Sequence, residues 1–196
     1  NEFGFSAEQL NLGGGYGVRY TESDPTIDIA ENIKNVSEHI KRKCLERSID
    51  VPKILMEPGR SIAADAGMTL YTVGTVKKIT GYKNYVSIDG GMTDNPRYAL
   101  YQSRYTVYHA HKSGSMERFD VVGRCCESGD LIQENTPLQA CGAGDILAVL
   151  ATGAYNYSMS SNYNRLPRPA VVMVKDGASR VVVKAETYED LVRNDL

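Results

Sequence analysis

The chain has no tryptophan, only three phenylalanines and three histidines, and almost no net charge, at −2 over 196 residues. With 22 basic residues against 24 acidic ones, no strongly basic surface for a polyanion is expected, and no nucleic-acid partner. The one short basic run, Lys41-Arg42-Lys43, falls where a helix is predicted and reads as its solvated face. No apolar run approaches the roughly 20 residues that span a bilayer, so no membrane partner is expected either. The four cysteines (Cys44, Cys125, Cys126 and Cys141) show no C-x-x-C spacing, and no metal site is expected. Cys125 and Cys126 are adjacent, where a mutual disulfide would be strained. Reduced thiols in a cytoplasmic protein are the expectation. No signal peptide is visible, and the chain opens without methionine at Asn1-Glu2-Phe3, as expected if an original N-terminus has been lost. Repeats and low-complexity tracts are missing too.

What is there is an ordinary apolar fraction of 42%, enough for one large core or two small ones. The first third alternates strand and helix. Gln9 to Leu12 forms a short apolar-leaning strand that stops at three glycines. Beyond Asp24-Pro25, a cap followed by a first-turn proline, apolar residues recur at Ile29, Ile33, Val36, Ile40 and Cys44. Intervals of three and four predict one helical stripe between Thr26 and Arg47. Lys53 to Met56 then reads as a short buried strand ending at Glu57-Pro58-Gly59. Strand, loop, amphipathic helix and strand make a parallel crossover unit.

From Ala66 onward the pattern changes. Thr69–Val76, Tyr82–Ile88, Arg104–Ala110, Leu131-Ile132, Ile146–Leu150, Ala170–Val174 and Arg180–Val183 are rich in β-branched and aromatic residues. Gly, Asn, Asp and Pro punctuate them, which predicts an antiparallel β domain. The fold class is therefore α/β plus all-β, divided as residues 1–65 and 66–196. One crossover cannot cover both faces of a parallel sheet, so the chain is expected to be a piece of a longer protein.

Two clusters carry chemistry. Gly13-Gly14-Gly15-Tyr16-Gly17 follows a strand, so its backbone N–H groups suit a phosphate. The dinucleotide fingerprint fits poorly, because its third glycine would be residue 18, which is Val18. A tight turn needing positive φ explains the same residues. Glu57-Pro58-Gly59-Arg60 ends a predicted strand, at the end where parallel barrels carry their sites. A carboxylate held there needs a cation. A protonated ring nitrogen is one such partner, since a carboxylate beside it keeps the ring an electron sink. Arg60 offers a rigid fork for a phosphate or carboxylate. A plain ion pair between Glu57 and Arg60 is the competing reading.

A strand ending in a glycine triplet, followed at a distance by Glu57-Pro58-Gly59-Arg60, resembles the fold-type III pyridoxal-phosphate decarboxylases. Four further stretches look like their diaminopimelate branch. These are Asp89-Gly90-Gly91-Met92-Thr93-Asp94-Asn95-Pro96-Arg97 with Ala99-Leu100-Tyr101; Cys126-Glu127-Ser128-Gly129-Asp130; Thr152-Gly153-Ala154-Tyr155 with Tyr157-Ser158-Met159 and Ser161-Asn162-Tyr163-Asn164; and the closing Glu186-Thr187-Tyr188-Glu189-Asp190-Leu191. The resemblance runs from Leu10 to Leu191. It implies the C-terminal part of a (β/α)8 TIM barrel followed by a β-sandwich or barrel-like C-terminal domain. It also implies decarboxylation of meso-diaminopimelate to L-lysine, the last step of lysine biosynthesis.

The resemblance assigns roles to residues. Gly13, Gly14 and Gly15 would cradle the cofactor phosphate, with Glu57, Pro58, Gly59, Arg60 and Tyr155 around the ring. Arg60, Arg97 and Tyr101 would clamp the distal carboxylate of the substrate, and Tyr155 lies beside it. Arg97 and Tyr101 are four apart, so a helical turn would put them on one face. Glu127 would accept the distal ammonium, and Cys126 would be the proton donor. Considered singly, Arg97 is also readable as a surface arginine, Glu127 as a solvated turn carboxylate and Tyr155 as a core aromatic. The resemblance further implies a homodimer whose Cys126–Glu127 loop serves the partner's site. The family's cofactor-bearing lysine and ring-stacking histidine lie early in its barrel and match nothing in this sequence. His39, His109 and His111 are poorly placed to substitute, and Lys175 or Lys184 would have to be recruited from the β domain. The chain by itself is therefore expected to be inactive. Two alternatives stay open: a non-catalytic relative that binds or regulates, and an ornithine- or arginine-type decarboxylase.

Overall fold

A computed structural model describes residues 6–196. Strand β1 (Gln9–Asn11) and strand β2 (Lys53–Leu55) pair in parallel, with Leu10 opposite Ile54. Helix α1 (Ile29–Glu46) is the crossover between them. The strand–helix–strand unit is thus present, with one correction at its cap. Asp28, not Asp24, opens α1, its Oδ1 accepting Glu31 N at 3.0 Å. Asp24 is already engaged, because Oδ2 accepts the backbone N–H groups of Tyr20 and Thr21 at 3.0 and 2.8 Å. That bond pattern closes a turn before the helix and holds its start back from Thr26. Along the apolar stripe Cys44 is buried and Ile29, Val36 and Ile40 are half-buried, while Ile33 is exposed.

Helix α2 (Gly59–Ala63) and a 3-10 turn at Ala64–Ala66 lead into the main sheet. Its strands are β3 (Met68–Lys78), β4 (Asn84–Ile88), β5 (Val107–His109), β6 (Met116–Val122), β7 (Leu131–Gln139) and β8 (Ile146–Leu150). Helix α3 (Arg97–Tyr101) lies between β4 and β5. The spatial order is β5-β8-β3-β4-β6-β7. The two edge strands face each other, where Tyr105 N donates to the Gln133 side-chain oxygen at 2.9 Å, so the sheet is a nearly closed barrel. Side chains alternate with period two, and the inward set (Tyr71, Val73, Val86, Ile88, Phe119, Val121, Leu147, Val149) forms the core.

The expected antiparallel arrangement needs correcting at one pair. β4 and β6 run parallel, with Val86 opposite Val121. The long connection through α3 and β5 lets the chain cross over before it returns to β4's edge. The sheet is therefore mixed. β6 was also not legible as a strand: Glu117, Arg118 and Asp120 break its apolar run, although Phe119 and Val121 are buried.

Helix α4 (Asn156–Met159) and a 3-10 turn at Tyr163–Arg165 follow the barrel. Strands β9 (Val171–Lys175) and β10 (Ala178–Val183) form a separate antiparallel hairpin. Asp176 and Gly177 take φ of 52° and 75° at its tip, the positive pair that a two-residue hairpin turn demands. Helix α5 (Tyr188–Val192) closes the chain behind a capping box between Thr187 and Asp190.

Candidate active site

The glycine loop and the Glu57–Arg60 stretch meet because β1 and β2 are parallel neighbours and both lead into this side. Gly13 and Gly15 have φ of +70° and +91°, and nothing lies within 4 Å of where their Cβ atoms would stand. Gly14 is required for a different reason. A Cβ there would overlap the Glu57 carbonyl oxygen. The loop is tied down by Glu57 N donating to Gly13 O at 2.8 Å and Gly13 N donating to Asn11 Oδ1 at 2.8 Å. Asn11 Nδ2 in turn donates to Glu57 Oε1 at 2.6 Å. Among the described residues Glu57 and Arg60 form no ion pair, so the competing reading of that tetrapeptide does not hold. Pro58 caps α2 without a side-chain bond, its carbonyl accepting from Ser61 Oγ at 2.9 Å, and Gly59 opens the helix.

Arg60 lies instead over the Tyr155 ring, 5.2 Å from its centroid. On the same ring, at 5.0 Å, lies Arg97, which also stands 5.3 Å from the Tyr101 centroid. Arg97 and Tyr101 share one turn of α3. Tyr155 reaches both guanidinia from a left-handed backbone, φ 74°, an unusual conformation for a non-glycine residue. Arg97 is only 5% exposed, which excludes the surface-arginine reading. No carboxylate among the described residues pairs with it. Its hydrogen bond through Nη2 goes to Ser103 Oγ at a long 3.4 Å, and Nε is buried without a partner. Tyr105 Oη and both polar atoms of the Asn156 amide are likewise buried and unpartnered. Burial pushes the Tyr105 hydroxyl above its ordinary pKa, and the nearby Arg97 charge offsets part of that. A desolvated guanidinium without an anion is costly, and this one stands ready for one.

The Cys126–Glu127 loop forms a second group. Cys126 is exposed, and its N–H donates to Asn164 Oδ1 at 2.6 Å. Glu127 Oε2 accepts from Tyr163 Oη at 3.2 Å. Buried Asp130 accepts Cys125 N at 2.7 Å and Met92 N at 2.6 Å, fastening this loop to the Gly90–Asp94 turn. Burial, and then the charge of Asp130, push the Cys125 thiol up to about 11. No hydrogen bond or ion pair among the described residues joins this group to the arginine–tyrosine stack. All four cysteines are free thiols, and no cluster suited to a metal occurs among the described residues. His109 is buried on β5 with Nε2 3.1 Å from Asp145 Oδ2, while His39 is exposed on α1.

Sequence reasoning missed Asn11, Asp130 and Asn164 as working residues. Asn11 was readable only as part of a strand, yet it braces both Gly13 and Glu57. Asp130 and Asn164 sit inside motifs singled out above, but each acts on backbone N–H groups, which no side-chain pattern reveals.

A barrel-like mixed sheet preceded by a parallel crossover, with a glycine loop and an unpaired buried arginine, defines a class. Residues 22–153 match the family described as pyridoxal-dependent decarboxylase, C-terminal sheet domain, and the chain belongs to that family. More particularly, diaminopimelate decarboxylase of Bacillus subtilis is 48% identical over the whole of this chain, which covers 45% of that protein. The Staphylococcus aureus diaminopimelate decarboxylase is 44% identical, covering 99% of this chain and 47% of its own length. A solved structure of diaminopimelate decarboxylase from M. jannaschii in co-complex with L-lysine superposes with a TM-score of 0.88 at 33% identity, covering 100% of this chain and 44% of that one. The chain spans about half the length of the curated relatives it matches.

Proposed function

We propose that the full-length protein containing this chain is a diaminopimelate decarboxylase, converting meso-diaminopimelate to L-lysine and carbon dioxide with pyridoxal phosphate as cofactor. The observation that carries it is Arg97, a buried guanidinium with no carboxylate partner, stacked with Arg60 about one tyrosine ring. In this reading residues 1–65 belong to a (β/α)8 barrel whose other strands lie elsewhere in the protein, and residues 66–196 are the β domain.

The residues fit the cofactor. Gly13, Gly14 and Gly15 form a loop that would hold the phosphate, open and of positive φ at Gly13 and Gly15 and pressed against the Glu57 carbonyl at Gly14, with Pro58 and Gly59 shaping the facing turn. Glu57 keeps Oε2 without a protein donor among the described residues, and would face the ring nitrogen. Tyr155 would border the ring. When bound, pyridoxal phosphate supplies the electron sink for the pair left behind as carbon dioxide departs.

The chain's own residues then do three things. Arg60, Arg97 and the Tyr101 hydroxyl hold the distal carboxylate, with two forks giving direction as well as charge. Glu127 accepts the distal ammonium, which separates this substrate from shorter diamino acids. Cys126 Sγ delivers a proton to the α-carbon. In this reading the protein is a homodimer in which each exposed Cys126–Glu127 loop serves the other subunit's site.

The test is turnover by the full-length protein. Meso-diaminopimelate is expected to be decarboxylated, and ornithine and arginine are not. Cys126→Ala should lower kcat by about 10²-fold or more while cofactor absorbance stays intact. Arg97→Ala should weaken substrate binding by about 2–5 kcal/mol, read as KM. Turnover of ornithine without diaminopimelate would overturn the assignment.

A further inference from the structure

The segment Ser161–Leu166 is held between two remote parts of the chain. On one side, consecutive residues reach a consecutive pair. Asn164 Oδ1 accepts Cys126 N at 2.6 Å, and Tyr163 Oη donates to Glu127 Oε2 at 3.2 Å. Toward the C-terminus, Asn162 Nδ2 donates to Glu186 Oε2 at 2.6 Å, and Glu186 is also paired with Arg168. Arg165 pairs with Asp195, and Ser161 N donates to Thr93 O at 2.8 Å. Asn164 and Arg165 both take left-handed φ, 55° and 57°. Two such residues in succession persist only where the surroundings over-determine the backbone. Asp130 holds the base of the Cys126–Glu127 loop, and backbone bonds from Glu127 N to Cys125 O and from Asp130 N to Glu127 O close its turn. Its tip, however, is exposed at both residues, and Glu127 Oε1 has only a 3.4 Å bond from Gly129 N.

We propose that Asn164 and Tyr163 are positioning residues that set the Cys126 thiol and the Glu127 carboxylate, and that Glu186 fixes them in place through Asn162. Asn164 restrains the backbone that carries the acid. Tyr163 orients the carboxylate that receives the substrate's distal ammonium. Glu186 makes the C-terminal segment a part of the site's support, although it touches no reacting atom. The proposal rests on the reading of Cys126 and Glu127 as acid and ammonium acceptor, and it extends that reading to residues with no assigned role.

The test uses the full-length protein. Asn164→Gly keeps the left-handed backbone accessible and removes the acceptor, whereas Asn164→Asp retains an acceptor oxygen. Asn164→Gly is expected to lower kcat about tenfold with KM little changed, the loss of one well-aligned bond at the reacting group. Asn164→Asp should recover most of it. Tyr163→Phe is expected to raise KM about tenfold with kcat largely kept, and Glu186→Gln to lower kcat in the direction of Asn164→Gly but less. A second readout does not need turnover. Iodoacetamide labelling, followed by peptide mass, should find Cys126 about threefold faster in Asn164→Gly, while Cys125 stays slow because Asp130 still holds the loop's base. Wild-type labelling and wild-type kcat in Asn164→Gly would overturn the proposal, as would Asn164→Asp failing to rescue. Should Cys126→Ala keep full kcat, the acid assignment falls, and labelling across the Asn164 variants still decides whether this residue positions the loop.

Discussion

Asp130 shows how one carboxylate organises a site without taking part in it. It is buried, accepts the backbone N–H groups of Met92 and Cys125, and fills the space where Gly91 and Gly123 lack side chains. Any Cβ at either glycine would overlap it. Asp130→Asn preserves the shape but turns one acceptor into a donor facing an N–H group, at a cost of about 1–3 kcal/mol. Thermal denaturation should show that loss. Cys125, no longer raised by a neighbouring charge, should be alkylated faster at pH 9 than in the parent. An unchanged melting point and an unchanged Cys125 rate would remove Asp130 from this role. The motif Cys126-Glu127-Ser128-Gly129-Asp130 was legible in the sequence, and so were Arg60, Arg97 and Tyr155. What each one touches was not. Tyr155 came to stand between two arginines only because a left-handed backbone and a helix four strands away in sequence brought them together.

At the scale of elements, the strong signals were those with a single physical cause. The 3.6-residue stripe of α1 and the parallel pairing of β1 with β2 follow directly from apolar spacing and the crossover rule. β6 and its parallel pairing with β4 were hidden, since a strand with charged residues on its outer face and a buried Asp120 looks like a loop. The C-terminal segment was legible as a motif but not as a clasp. There, Arg168 above all holds the Glu186 carboxyl down to about 2. An unfolded glutamate titrates near 4.3. The bond therefore stabilises the fold fully above that value, and its contribution is lost as the pH falls toward about 2. Protection of the Arg168–Leu191 amides, measured as hydrogen exchange relative to the intrinsic rate at each pH, should fall steeply as the pH drops between those values. Glu186→Gln should already exchange fast at pH 7 and show a flatter acid response. The same steep fall in the variant would place the acid sensitivity elsewhere. Asp145, held low by Lys112 and then His109, works in the same sense on the barrel, while Asp94, raised by burial, opposes it.

At the scale of the whole molecule, the buried core of the described residues lies in the barrel. The inner faces of all six strands converge on one core, and the largest side chains there are fully buried. The α/β unit offers no comparable interior. Its two-stranded parallel sheet leaves Leu10 and Leu12 exposed, and Ile33, Ile49, Val51 and Ile62 also face outward, Ile62 at 73%. Parallel strands are stable when both faces are covered, which two strands and one helix cannot do. The β9–β10 hairpin adds Val172, Met173, Val174, Val181 and Val182. Two apolar surfaces of this kind, one with open strand edges, favour association. Expressed by itself, this 196-residue chain is expected to sediment as oligomers at micromolar concentration. Replacing Ile33 and Ile62 with glutamine should shift it toward smaller species, because both positions are outward-facing and their loss leaves the barrel core intact. If the proposed reading of residues 1–65 as part of a larger barrel holds, the full-length protein should run as a discrete dimer under the same conditions. A monomeric 196-residue chain with native-like melting would show that the exposed faces are tolerated, and that the barrel domain folds without help from what covers them.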